Sequence, residues 1–134
     1  MKANELMIGD FIKHGFGGVG KVTELSKGII TVYDDGLNDG DGNCEVNFAE
    51  NEIRPIPLTV EILEKNGFKK DEKDKNMYYW NWSICNNCIS YDKETGKIRI
   101  FHSLGNLVFV LPLRYVHELQ NALRLCGIEK EIIL

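Results

Sequence analysis

The sequence predicts an α+β protein in which a small SH3-like antiparallel β-barrel is packed on a β-meander carrying two helices. Three observations carry this. Short apolar–polar alternating runs separated by glycine-rich turns fill residues 1–54, the pattern of half-buried strands in a small bent barrel. The stretch Arg54-Pro-Ile-Pro-Leu-Thr59 then breaks the pattern with two prolines. Beyond it, helix end signals bracket a run of strand-like segments. The chain therefore reads as an acidic barrel subdomain, 1–54, followed by an α+β subdomain, 55–134.

The barrel half opens with a strand over Asp10 to Lys13, where Phe11 and Ile12 supply strand propensity. A glycine-rich turn, 15–20, follows. Lys21 to Leu25 alternates polar with apolar residues, and Gly28 to Tyr33 is β-branched, so both read as strands. A polar loop runs from Asp34 to Asn43. Cys44, Val46 and Phe48 then alternate with Glu45 and Asn47 as a further strand, and Ile53 and Ile56 close the unit.

In the second half a helix is expected near 59–67. Thr59 serves as its N-cap, Leu58 and Leu63 as the hydrophobic staple, and Gly67 with Phe68 as a Schellman ending. A β-meander follows near 77–111. Its first hairpin folds about Asn86-Asn87, since Asn tolerates positive φ. That register sets Trp82 opposite Tyr91, Ile84 opposite Ile89, Ser83 opposite Ser90 and Cys85 opposite Cys88. Lys93 to Gly96 forms a second turn. Pro112 suits the first position of a helix near 112–126, with Val116, Leu119, Leu123 and Cys126 on one stripe and Gly127 ending it. Glu129 to Leu134 reads as a terminal strand, able to complete an internal sheet or to pair with a second copy of the chain.

The composition is that of an ordinary globular protein, with 43% hydrophobic and 27% charged residues. No apolar run approaches the ~20 residues needed to span a bilayer. Met1 to Glu5 has no hydrophobic segment behind it of the kind a secretory signal needs. The expectation is a cytoplasmic protein that does not engage a membrane, its four cysteines present as thiols.

Charge is uneven. Residues 1–54 carry five Lys/Arg and ten Asp/Glu, a balance of −5, and residues 55–134 carry eleven and ten, a balance of +1. A phosphate backbone needs a concentrated basic face, and the β-rich half has the wrong sign. The basic residues Lys65, Lys69, Lys70, Lys73 and Lys75 are interleaved with Asp71, Glu72 and Asp74, as in a solvated loop.

The chemistry-bearing motifs each meet a plainer reading. Gly15-Phe-Gly-Gly-Val-Gly20 fits a glycine-rich phosphate motif, but strand rather than helix pattern follows it, and Val22 stands where a Walker loop needs Ser or Thr. A tight β-turn is expected. Asp39, Asp41, Asn43 and Glu50 fall at oxygen-ligand positions of a calcium loop, yet Cys44 occupies the position that requires Gly. Cys85 and Cys88 have zinc-knuckle spacing but supply two ligands of the four a structural zinc site needs. His14, His102 and His117 form no pattern and are read as surface or rim residues. A general base needs a nucleophile within reach, and none is designated, so neither enzymatic activity nor a cofactor is expected.

Met1-Lys-Ala-Asn-Glu-Leu6 with Ile8-Gly9, Pro55-Ile-Pro-Leu-Thr59 with Glu61-Ile-Leu63, and His117-Glu-Leu-Gln-Asn121 together resemble a family of short uncharacterised gut-bacterial proteins, often encoded near prophage or conjugative elements. The resemblance implies a mobile-element setting and carries over no functional residue. The functional expectation is an accessory protein that binds a protein partner through the acidic loop, with Asp35, Asp39 and Asp41 as contact residues, and through the polar hairpin face around Cys85 and Cys88. Nucleic-acid binding, through the barrel or the 65–75 lysine segment, ranks behind it. A zinc or calcium role through Cys85, Cys88, Asp39, Asp41, Asn43 and Glu50 ranks third.

Overall fold

The computed structural model describes residues 1–37, 42, 44–80, 88–102 and 106–134, with backbone only for 102 and 106–109. The fold is mixed α+β, and the described residues form two antiparallel sheets and two α-helices. The chain divides into two compact units, Met1–Pro57 with Tyr115–His117, and Leu58–Arg114 with Glu118–Leu134.

The first unit is one five-stranded sheet. Its strands are β1 (Phe11–Lys13), β2 (Val19–Ser26), β3 (Ile29–Tyr33), β4 (Glu45–Ala49) and β5 (Arg54–Pro55), in the spatial order β4-β3-β2-β1-β5. Alternation sends Ile12, Val22, Ile30, Val32 and Phe48 to one face, where they join Leu6 and Ile53 as the core. Burying each aliphatic side chain contributes about 1.5–3 kcal/mol. The expected SH3-like barrel is not what forms: among the described strands, β4 and β5 pair on one side only, so the sheet stays open. A physical reason lies in β5. It has two residues, and Pro55 has no N–H to offer a further strand.

The second unit is also built on a five-stranded antiparallel sheet. Its strands are β6 (Lys69–Lys70), β7 (Met77–Trp80), β8 (Cys88–Asp92), β9 (Lys97–His102) and β10 (Asn106–Pro112), in the order β10-β9-β8-β7-β6. Helix α1 (Val60–Lys65) has the predicted ends. Thr59 Oγ1 accepts from the Ile62 N–H at 3.4 Å. Phe68 N–H donates to the Leu63 carbonyl and Gly67 N–H to that of Glu64, each at 3.0 Å, with Gly67 at φ 84°. That is the paired bonding of a Schellman ending. Helix α2 (Val116–Leu125) ends in the same way at Gly127, with Ile128 N–H on the Leu123 carbonyl at 2.9 Å.

Three expectations for this half are corrected. Tyr91 lies opposite Tyr78, Ile89 opposite Trp80 and Ser90 opposite Tyr79. Tyr91, Ile89 and Ser90 therefore do not pair with Trp82, Ile84 and Ser83, which lie outside the described residues together with Cys85 and Asn86-Asn87. The predicted register would have set Tyr78 against Thr95 in a turn. The observed one buries both tyrosines, Tyr78 to 3% and Tyr91 to 7% exposure. Pro112 ends β10 opposite Lys97 rather than starting a helix, because an edge strand tolerates the missing N–H. Glu129 to Leu134 forms no strand. The amide of Asn66 takes its backbone instead, bonding the N–H and carbonyl of Ile133.

Candidate functional site

The glycine-rich segment makes a hairpin turn between β1 and β2, as expected: Gly17 N–H donates to the His14 carbonyl at 2.9 Å, and His14 N–H to that of Gly18 at 3.2 Å. The turn puts Phe16 at its tip, 72% exposed. An apolar ring so exposed on a small unit is the feature to explain.

Directly beneath it lies a polar pair that sequence reasoning misplaced. His14, read as a rim residue, is 4% exposed. Its Nε2 lies 2.8 Å from Oδ2 of Asp34, at the end of β3. The carboxylate only accepts, so the ring that satisfies it carries its proton on Nε2. The imidazole stacks on Phe48 at 4.9 Å between ring centroids, and Phe16 meets Phe48 edge-on at 5.5 Å. Gly18 permits this assembly. A Cβ there would come within 2.7 Å of His14 Nε2 and closer still to Asp34.

The anions at this corner are locally organised. Asp34 Oδ1 accepts the Gly36 N–H at 2.9 Å. That bond, then the one from His14, holds the Asp34 carboxyl below the usual carboxylate range. Asp35 is exposed and accepts from the Tyr33 hydroxyl at 2.6 Å. The bond and the nearby negative charge push the Tyr33 phenol up to about 12. Of the other predicted contact residues, Asp39 and Asp41 lie outside the described residues.

The His14–Asp34 pair is arranged as a clamp. A general base must present a nitrogen to its substrate. Here Nε2 is taken by Asp34, and Nδ1 is buried with no hydrogen-bond partner among the described residues. The pair ties the turn that carries Phe16 to the segment that carries Asp35.

The remaining candidates behave as structural residues. Glu50 accepts the Ala3 N–H at 2.8 Å, and Asn43 lies outside the described residues. Cys88 is buried in β8, and burial pushes its thiol up to about 11, the opposite of the lowered value a reactive thiol needs. The Cys88 thiol is thus withheld from the hairpin face expected to meet a partner. Among the described residues, no three His, Cys, Asp or Glu side chains come together as a metal site. His117, read from the sequence as a surface or rim residue, is also 4% exposed and stacks on Tyr115 at 5.8 Å. No described helix is long and apolar enough to cross a membrane.

The sequence signal for the His14 site was weak because its partner is 20 residues away. The usable hint was a lone Phe amid glycines, where a core residue has no neighbours to pack on. Comparisons of the chain with protein families, with curated proteins and with solved structures give no match.

Proposed function

We propose that the chain is a non-enzymatic accessory protein that docks onto a protein partner through the corner bearing Phe16 and the acidic loop after β3. One observation carries the reading: Phe16, 72% exposed, is held in place by packing against His14 and Phe48 instead of being withdrawn into the core. A held, exposed aromatic is the residue type that fills a partner's pocket as an energetic anchor. The −5 balance of residues 1–54 suits a partner whose pocket has a basic rim, which would steer encounter. A cytoplasmic, mobile-element setting belongs to the same proposal, supported by the family resemblance.

The test is capture from the native host after nuclease treatment, using tagged wild-type protein beside Phe16→Ala and Asp35→Lys. The reading predicts a stoichiometric protein partner whose affinity falls about thirtyfold with Phe16→Ala, the ~2 kcal/mol of an interface anchor. A partner held equally by all three proteins would refute the assignment of the surface.

A further inference from the structure

A row of cross-strand partners runs through the second sheet as Tyr78, Tyr91, Ile98 and Leu111. Cross-strand partners share a face, and the first three are 3%, 7% and 0% exposed. Leu111, the last of the row, is 42% exposed. It borders a hollow of about 200 Å³, lined by apolar Leu111, Leu113, Ala122 and Leu125 and by polar Glu118 and Asn121. Leu125 is itself 69% exposed, and the Glu118 carboxylate accepts the Arg114 N–H at 2.6 Å. The apolar layer of this sheet thus stops one strand short of its cover.

The backbone is open at the same place. Among the described strands β10 pairs with β9 alone, so the outward N–H and C=O groups of alternate β10 residues lie on a sheet edge. The opposite edge of the sheet is blunted. There β6 has two residues, both exposed lysines, and a short lysine edge discourages further pairing. By contrast β10 has seven residues, Asn106 to Pro112, and none is charged. Open pairing groups on the edge suit an added extended strand, and the hollow beside them suits an apolar one. The uncharged sequence of β10 is itself such a strand.

We infer that two copies of the chain associate by antiparallel pairing of β10 with β10 about a dyad at Val110, joining their second sheets into one. In that register Val110 lies opposite Val110, and Leu111 lies opposite Phe109 of the second copy. Phe109 pairs with Ile100 and Leu111 with Ile98, so each copy extends the other's row beyond Leu111, on the side of the hollow. Residues 108–112 meet their counterparts without opposing like charges. The register break between Leu107 and Phe109 confines regular pairing to the segment around the dyad. A contact so short makes a weak dimer, with Kd on the order of 10⁻⁵ M.

The test is sedimentation velocity of the full chain at about 5 to 500 µM, a range over which mass action converts monomer to dimer. Val110→Lys and Val110→Glu each set like charges face to face at the dyad and are expected to raise Kd at least about tenfold. Val110 is 42% exposed, so both variants should keep the wild-type circular dichroism. Mixing the two restores the dimer, because lysine then faces glutamate, and Phe16→Ala leaves association unchanged. A wild-type chain still monomeric at about 500 µM would overturn the inference and leave the edge to another protein's strand. A dimer that survives both charged variants, or a mixture that stays monomeric, would overturn it as well.

Discussion

The side-chain amide of Asn66 pairs with the backbone of Ile133 on both sides. Its Nδ2 donates to the Ile133 carbonyl at 2.7 Å, and its Oδ1 accepts the Ile133 N–H at 2.8 Å. Nδ2 also donates to the Ile62 carbonyl at 2.7 Å. One buried side chain thus closes α1 and does for the last residues what a neighbouring strand would do. Lys65 Nζ adds a bond to the Leu134 carbonyl. Ile132, between them in effect, is buried to 1%.

Asn66→Ala removes all three amide bonds and should destabilise the protein by about 2–3 kcal/mol, since buried polar groups lose their partners. Asn66→Asp keeps the acceptor for the Ile133 N–H and loses the donors. Urea denaturation with a C-terminal proteolysis assay checks this. Both variants should expose residues 129–134 to trimming, and wild-type behaviour of Asn66→Ala would mean the amide pairing holds nothing.

Gly18→Ala should break the His14–Asp34 contact, because the added methyl needs the space where the two side chains meet. The expected cost is about 1–3 kcal/mol, that of a disrupted buried polar contact. Phe16→Ala, at an exposed tip, should change stability by no more than ~0.5 kcal/mol. Thermal melts of the two variants separate the clamp from the residue it displays.

Asp34 makes a pH prediction with a definite sign. Its folded value is lowered by the Gly36 N–H and by His14, against ~3.9 for an unfolded aspartate. Its contribution is therefore present above about pH 4 and is lost as pH falls through the folded value. Asp34→Asn should lower stability at neutral pH and flatten the acid limb. An acid limb of unchanged steepness in denaturation from pH 6 to pH 2 would remove Asp34 from the account.

Cys88 should resist thiol reagents. Burial raises its value to about 11, leaving little thiolate near neutrality. Site-resolved mass spectrometry after brief iodoacetamide treatment at about pH 7.5 should find Cys88 unmodified in the folded protein and modified in urea. Rapid labelling of the folded form would contradict its placement in β8.

Local signals were readable in the sequence, and distant ones were not. Thr59, Leu63, Gly67 and Phe68 mark α1 because every partner lies within nine residues. The β2–β4 alternation was equally legible. Asn86-Asn87 suggested a hairpin register by local turn preference, but burial of Tyr78 against Tyr91 outweighs it. Pro112 fits both a helix start and the end of an edge strand, so the residue alone decides nothing. His14 and Asn66 depend on Asp34 and Ile133, partners that no pattern of spacing designates, and the candidate site went unread for the same reason.

The docking corner is tested most directly by placing a photo-crosslinking benzoylphenylalanine at position 16 in the native host, with the same group at Leu125 as the exposed control, 69% accessible. The account predicts a discrete, nuclease-resistant protein adduct at position 16 that is absent at 125 and lost when Asp35→Lys is added. No adduct at position 16, or the same adducts from both positions, would contradict it.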